Sequence, residues 1–168
     1  MKKRIITNAE QQAAQLPEDG WLDLAQLADV EVTSEDPAHP IESALLPGRG
    51  SLWRAAEPGE QTIRLVFTSP QRIQRIALEF FEPQIERTQQ FVLSWSSDGG
   101  ETYRELVRQQ WNFSPQGATQ ETEDYRVDLT NVTTLELKLT PDISGGETRA
   151  TLSRLRLACT PSTADEKS

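Results

Sequence analysis

Residues Phe91 to Tyr103 read FVLSWSSDGGETY, and this stretch decides the fold class. Phe91, Leu93 and Trp95 fall on every second position, with Val92, Ser94 and Ser96 between them. Successive side chains of a strand point to opposite faces, so this alternation predicts a half-buried strand. Ser97-Asp98-Gly99-Gly100 follows as a turn, because an Asp side chain bonds the turn backbone and glycine accepts positive φ. Tyr103 to Gln110 is then the returning strand. The same period recurs in Ile63-Leu65-Phe67, Ile76-Leu78-Phe80, Tyr125-Val127-Leu129, Leu135-Leu137-Leu139 and Leu155-Leu157-Cys159, each written by its apolar phase. Turn chemistry at Thr68-Ser69-Pro70, Ser114-Pro115 and Ser144-Gly145-Gly146 separates the runs. Earlier segments are weaker: Trp21 to Leu27 reads as strand or short helix, Val30 to Thr33 as a short strand, and His39 to Leu46 as one helical turn. No helical pattern of about 10–15 residues lies between the strands, so a parallel α/β sheet is not expected and an all-β antiparallel β-sandwich or barrel of about eight strands is predicted.

Ser96 to Tyr103 also fits S-x-D-x-G-x-T-aromatic, the Asp-box of sialidase-like propellers. A propeller repeats its motif in every blade of about 40–50 residues. Here it occurs once in 168 residues, so Asp98 is read as the anchor of a hairpin turn.

The chain carries 17 Lys and Arg against 26 Asp and Glu, a net charge of −9. That balance argues against duplex DNA, which needs a basic footprint, and against an anionic membrane surface. One Cys and one His exclude an intrachain disulfide and a thiolate- or His-rich metal centre. No apolar run reaches the length of about 18 residues that a membrane helix needs. The basic opening MKKRIITNAE lacks the apolar segment of a secretory signal, so a cytoplasmic location is expected. Residues 1–20 are expected as an N-terminal extension with a short polar helix from Asn8 to Gln15. Residues 21–159 are expected as one sandwich domain, and 160–168 as a disordered tail.

Val32 to Ala55, VTSEDPAHPIESALLPGRGSLWRA, resembles the opening of discoidin, or factor V/VIII type C, domains, which are galactose-binding-domain-like jelly rolls. Ser34-Glu35, Ala44-Leu45, Gly48 and Trp53 carry the likeness. Gln61 to Phe67, Arg72 to Phe80, the Asp98 hairpin and Ala150 to Ala158 fit the strands that follow, so the resemblance covers roughly Val30 to Ala158. It implies a jelly roll that binds carbohydrate, without catalysis, through loops at one end. The alternative is a protein-docking module like the family's intracellular members, which the missing export signal favours. Many members hold a structural Ca²⁺. Ca²⁺ takes about six to eight oxygens with negative charge among them. This chain has Pro47 where an Asp is usual and Ser153-Arg154 where an acid is common, so neither metal nor other cofactor is expected. The expected partner is a glycan or a protein ligand, with no nucleic acid and no membrane.

Ligand-binding candidates lie between the strands. Trp111, Asn112 and Phe113 fall in the polar segment Gln109 to Asp124, where aromatic rings beside amides suit a sugar; alternatively the two rings anchor that loop to the sandwich. Glu82, Glu86 and Arg87 flank Pro83 in another connection, and Arg49, Arg54 and Glu57 lie in a third that the resemblance places at the same end. Trp53 and Trp95 are read as core. Outward Arg64, Arg75, Arg126, Arg154 and Arg156 form either an anion-binding patch or cross-strand pairs with Glu79, Asp128 and Glu136. Cys159 is read as a buried, inert thiol and His39 as ordinary. No nucleophile pattern accompanies His39, so no enzyme is expected.

Overall fold

The computed structural model describes residues 20–48 and 50–159. The expected helix from Asn8 to Gln15, the tail from 160 to 168 and Arg49 lie outside the described residues. Helix α1 (Leu24–Leu27) leads into strand β1 (Ala28–Val32), and helix α2 (Glu42–Leu45) precedes β2 (Trp53–Pro58). Then come β3 (Gln61–Phe81), β4 (Arg87–Ser96), β5 (Arg104–Phe113), β6 (Gln120–Thr140), β7 (Arg149–Leu152) and β8 (Arg154–Ala158). All pairing is antiparallel.

β3 and β6 organise the rest. They pair from Gln61 opposite Leu139 to Val66 opposite Thr134, shift register, and pair again from Arg75 opposite Arg126 to Phe81 opposite Gln120. Their first shared half sits in the order β1-β3-β6-β4-β5. Their second half carries β8 on the other side of β3. Each long strand thus serves two layers, and the register shifts mark the corner between them. Ile63, Leu65 and Phe67 line the core from one half, and Ile76, Leu78 and Phe80 from the other. The rings of Phe80 and Phe91 stack across the interior with centroids 5.4 Å apart. A minor pair, β2 with β7, closes the flank, burying Trp53 and Ala55. The Trp53 indole N–H donates to the Ser34 carbonyl at 3.1 Å. Trp53 is therefore core, as the sequence indicates, while Trp95 is half-buried with the Arg104 guanidinium 5.5 Å from its ring centroid.

Two of the connections expected from the sequence change. Thr68-Ser69-Pro70 does not end a strand: the three residues are exposed at the corner inside β3, where a lost ladder bond at proline is tolerated. On β6 the matching bend holds Asn131, whose φ of 59° lies in the left-handed region that a short polar side chain tolerates. The polar segment from Gln109 to Asp124 is not a long loop either. β5 runs to Phe113 and β6 begins at Gln120, leaving only 114–119 as connection.

The Asp98 hairpin forms as expected. Its carboxylate accepts from Ser96 Oγ at 2.6 Å and from the N–H groups of Glu101 and Thr102, both at 3.0 Å. These donors, led by the Ser96 hydroxyl, hold its pKa well below the carboxylate range. Cys159 is half-buried, not buried, because it lies one residue past β8. Leu137, on β6 between β3 and β4, faces the core from the shared half. Leu137→Ala is expected to lower unfolding stability by about 3 kcal/mol through lost burial plus a cavity, as read by urea denaturation.

Candidate functional site

The outer face of the β3-β6-β4-β5 layer is built in cross-strand rows. One row runs Glu31, Arg64, Glu136, Ser94, Glu105 across β1, β3, β6, β4 and β5. The next runs Thr62, Lys138, Val92, Arg108. A third runs Thr140, Gln90, Gln110, in which the Gln110 amide donates to Gln90 Oε1 at 3.1 Å. In the first two rows the outward residues of β4 are short, Ser94 and Val92, while β5 and β6 carry long charged chains on either side. The result is a trough of about 450 Å³ with β4 as its floor. Glu136 and Lys138 form one wall, Glu105, Arg108 and Tyr103 the other, with Glu60 and Thr140 at one end.

The walls are held in place electrostatically. Glu136 is mostly buried, and its Oε1 accepts from both Nε and Nη2 of Arg64 at 3.2 Å. Arg64 Nη1 also donates to Glu31 at 2.8 Å. That contact is the largest cause raising the Arg64 pKa; Glu136 adds to it. Burial pushes the Tyr103 phenol up. Its hydroxyl lies so close to Gly100 that a Cβ there would sit 3.2 Å away, and Gly100 has φ +93°, so the turn glycine makes room for the tyrosine. Groups that donate (Lys138, Arg108), groups that accept (Glu105, Glu136) and groups that do both (Ser94, Gln90, Thr140, Tyr103) thus face one concave surface.

The ligand candidates read from the sequence do not converge on this trough. Phe113 is wholly buried, a core residue beside Trp111, with ring centroids 6.5 Å apart. Trp111 is half-buried on the inner phase of β5, opposite Gln89 of β4. Only Asn112 is exposed, and its side-chain carbonyl accepts from the Thr88 hydroxyl. Of the two alternatives for these rings, anchoring is what the burial shows. Glu82 and Arg87 are not rim groups: both are buried, joined by an Nε–Oε1 contact of 3.1 Å. Arg87 Nη1 further donates to the Pro141 carbonyl at 2.6 Å, and the guanidinium sits 5.0 Å from the Phe113 ring centroid. The other Glu82 oxygen accepts from the N–H groups of Gln84 and Ile85. Arg54 lies half-buried on β2 with its N–H on the His39 carbonyl, Glu57 is exposed near the end of that strand, and neither lines the trough.

Of the arginines on outward phases, Arg64 pairs with Glu136, Arg75 with Asp124 at 2.8 Å and Arg154 with Glu79 at 3.9 Å. Asp128 pairs with Arg72. For Arg64, Arg75 and Arg154 the cross-strand pairs form, and the Arg156 guanidinium lies 5.9 Å from the Trp21 ring centroid. Leu46, Pro47, Gly48 and Gly50 line a gap of about 20 Å³ together with Arg154 and Arg156.

Beneath Trp111 lies a seam of buried polarity. Glu121 of β6, 1% exposed, receives only a 3.4 Å contact from the Gln89 amide on one oxygen, and its other oxygen has no partner. The Trp111 indole N–H is buried without one as well. Burial, and then the Glu123 carboxyl on the same face, push Glu121 up to about 8.

No family model matches the chain, and no curated protein sequence does. Solved structures do match. The sandwich is similar to a family 32 carbohydrate-binding module of NanJ from C. perfringens in complex with galactose: identity 14%, coverage 82% of this chain and 97% of that one, TM-score 0.57. The fold is the galactose-binding-like sandwich. It is also similar to a pectin-binding carbohydrate-binding module, at 18% identity over 79% of this chain and 90% of that one, TM-score 0.54. A third match is the family 32 module of AlyQ in complex with 4,5-unsaturated mannuronic acid, at 17% identity over 80% and 96%, TM-score 0.53. The jelly-roll architecture expected from residues Val30 to Ala158 is thus the one observed.

The seam has a measurable consequence. Unfolded, Glu121 titrates in the ordinary carboxyl range; folded, it keeps its proton to about pH 8. The native state binds more protons across that window, so stability falls as pH rises through it and levels off above. Glu121→Gln is expected to flatten that slope in urea denaturation series run from about pH 5 to about pH 8.5.

Proposed function

We propose that this chain is a non-catalytic carbohydrate-binding module that takes its ligand in the trough on the β3-β6-β4-β5 face. The observation that carries the reading is the trough itself: a concave surface of about 450 Å³ in which donors and acceptors alternate row by row on a hydrogen-bonded sheet. A sugar presents hydroxyls that both donate and accept, so it matches a surface of carboxylates, amides, hydroxyls and cations already fixed before binding. Support comes from the fold, shared with modules described with galactose, pectin and an unsaturated mannuronic acid. This moves the site from the end loops, which the resemblance suggests, to the sheet face. No metal or cofactor takes part.

A second reading rests on a different observation. Among the described residues the exposed large apolar side chains are Phe81, Ile85 and Ile143, at 42%, 45% and 48%. All three belong to one end: Glu82 bonds Thr119, and Ile143 bonds Thr88. That end suits a protein partner, as in an interaction module.

The floor of the trough separates the two. Ser94→Trp puts an indole on β4 between both walls. Isothermal titration against a panel of galactosides and uronic acid oligosaccharides is expected to show at least a tenfold loss of affinity for this variant, with an unchanged far-ultraviolet spectrum. Trp111→Ala is expected to keep wild-type affinity. Equal binding by Ser94→Trp and wild type would remove the trough as the site.

A further inference from the structure

The rows of the trough differ in sign, and that order selects a ligand class. Lys138 on β6 and Arg108 on β5 flank the same β4 residue, Val92. Neighbouring strands lie about 4.8 Å apart, so the two backbones are about 10 Å apart with only a short side chain between them. Both are long, both line the trough, and their side chains are half-exposed, at 50% and 54%. The adjoining row reverses the sign: Glu136 and Glu105 flank Ser94.

Neither cation is used up by its neighbour. Glu105 accepts from Nε and Nη2 of Arg108, at 3.3 and 2.8 Å, which leaves the Nη1 edge of the guanidinium to other acceptors. Lys138 Nζ stands 3.7 Å from Glu136 Oε2, beyond hydrogen-bond length, and that carboxylate already has Arg64 on its other oxygen. Exposed pairs of this kind contribute little and yield easily to a better acceptor.

We propose that the Lys138–Arg108 row clamps the carboxylate of an acidic sugar, a uronic acid unit, while Glu136, Ser94 and Glu105 in the next row receive its ring hydroxyls. This deepens the carbohydrate reading and rests on it. A carboxylate between two cations gains charge-assisted hydrogen bonds from both walls, which a neutral hydroxymethyl group cannot match. The net charge of −9 repels long polyanions, so the fit is to a short oligosaccharide with one carboxylate seated.

The test is isothermal titration of the full chain with trigalacturonate and with the same trisaccharide after its carboxyls are reduced to hydroxymethyl groups. The acidic sugar is expected to bind at least tenfold more tightly. Lys138→Ala and Arg108→Ala are each expected to lower affinity for it about tenfold, the size of one charge-assisted hydrogen bond, and to lower affinity for the neutral sugar by clearly less, so that the preference for the acidic sugar shrinks. Lys138→Arg restores the preference, and thermal melts confirm that every variant folds. Equal affinity for the two sugars, or variants that weaken both alike, would overturn the clamp while leaving the carbohydrate reading standing. Binding of neither sugar would overturn the clamp too, and the Ser94→Trp panel then decides separately whether the trough takes any sugar.

Discussion

Antiparallel pairing of β3 with β6 along 21 residues each is the constraint on which everything else depends. Because the two strands turn the corner together, one ladder supplies the middle of both layers, and the remaining strands only add to its edges. β1, β4 and β5 extend one half, and β8 the other. A slip of one residue in this ladder would send Ile63, Leu65, Leu135 and Leu137 to the outside and their charged neighbours inward. The register shifts between Val66 and Arg75 absorb the bend without that slip.

The same ladder gives the molecule two unlike polar regions. On the outer face, Arg64 and Glu136 are direct cross-strand partners, so their ion pair fixes one wall of the trough at the cost of no loop. On the inner face, Glu121 stands opposite Phe80, where a charge is poorly solvated and a proton is retained. Arg87 differs in having Glu82 on Nε and the Pro141 carbonyl on Nη1, while its Nη2 is buried without a partner. Burial alone lowers the Arg87 pKa, and the Glu82 carboxylate opposes it. A carboxylate with only one weak donor, and a guanidinium with a partner and a carbonyl, thus lie on neighbouring strands with opposite electrostatic solutions.

Period-two patterning made the strands and the Asp98 hairpin legible, since each depends on residues close in sequence. The corners were not, because Thr68-Ser69-Pro70 has the composition of a terminating turn and only the partner strand shows that pairing resumes beyond it. The loop assignment of the stretch around Trp111 and Phe113 fails for a related reason: Gln109, Gln110 and Asn112 give it a loop's polarity and mask the alternation of two inward rings. Glu82 and Arg87, five residues apart, looked like surface charges because what covers Arg87 comes from Phe113 and Pro141. The trough is a property of register. Ser94, Lys138 and Arg108 are unremarkable singly, and acquire meaning only when Val92 is known to lie between two cations. The readable signal was the short outward phase of β4 beside long charged phases on its neighbours.

The long ladder also dictates when the chain can acquire its structure. Arg64 and Glu136 are 72 positions apart, and until β6 exists β3 has only the short β1 to pair with, over Ile63 to Phe67. During synthesis, the apolar phases of β3 leave the ribosome well before their complement, so closure is a late and non-local event. In that interval the β4–β5 hairpin, joined by a tight turn around Asp98, is the one large element able to assemble from neighbours alone.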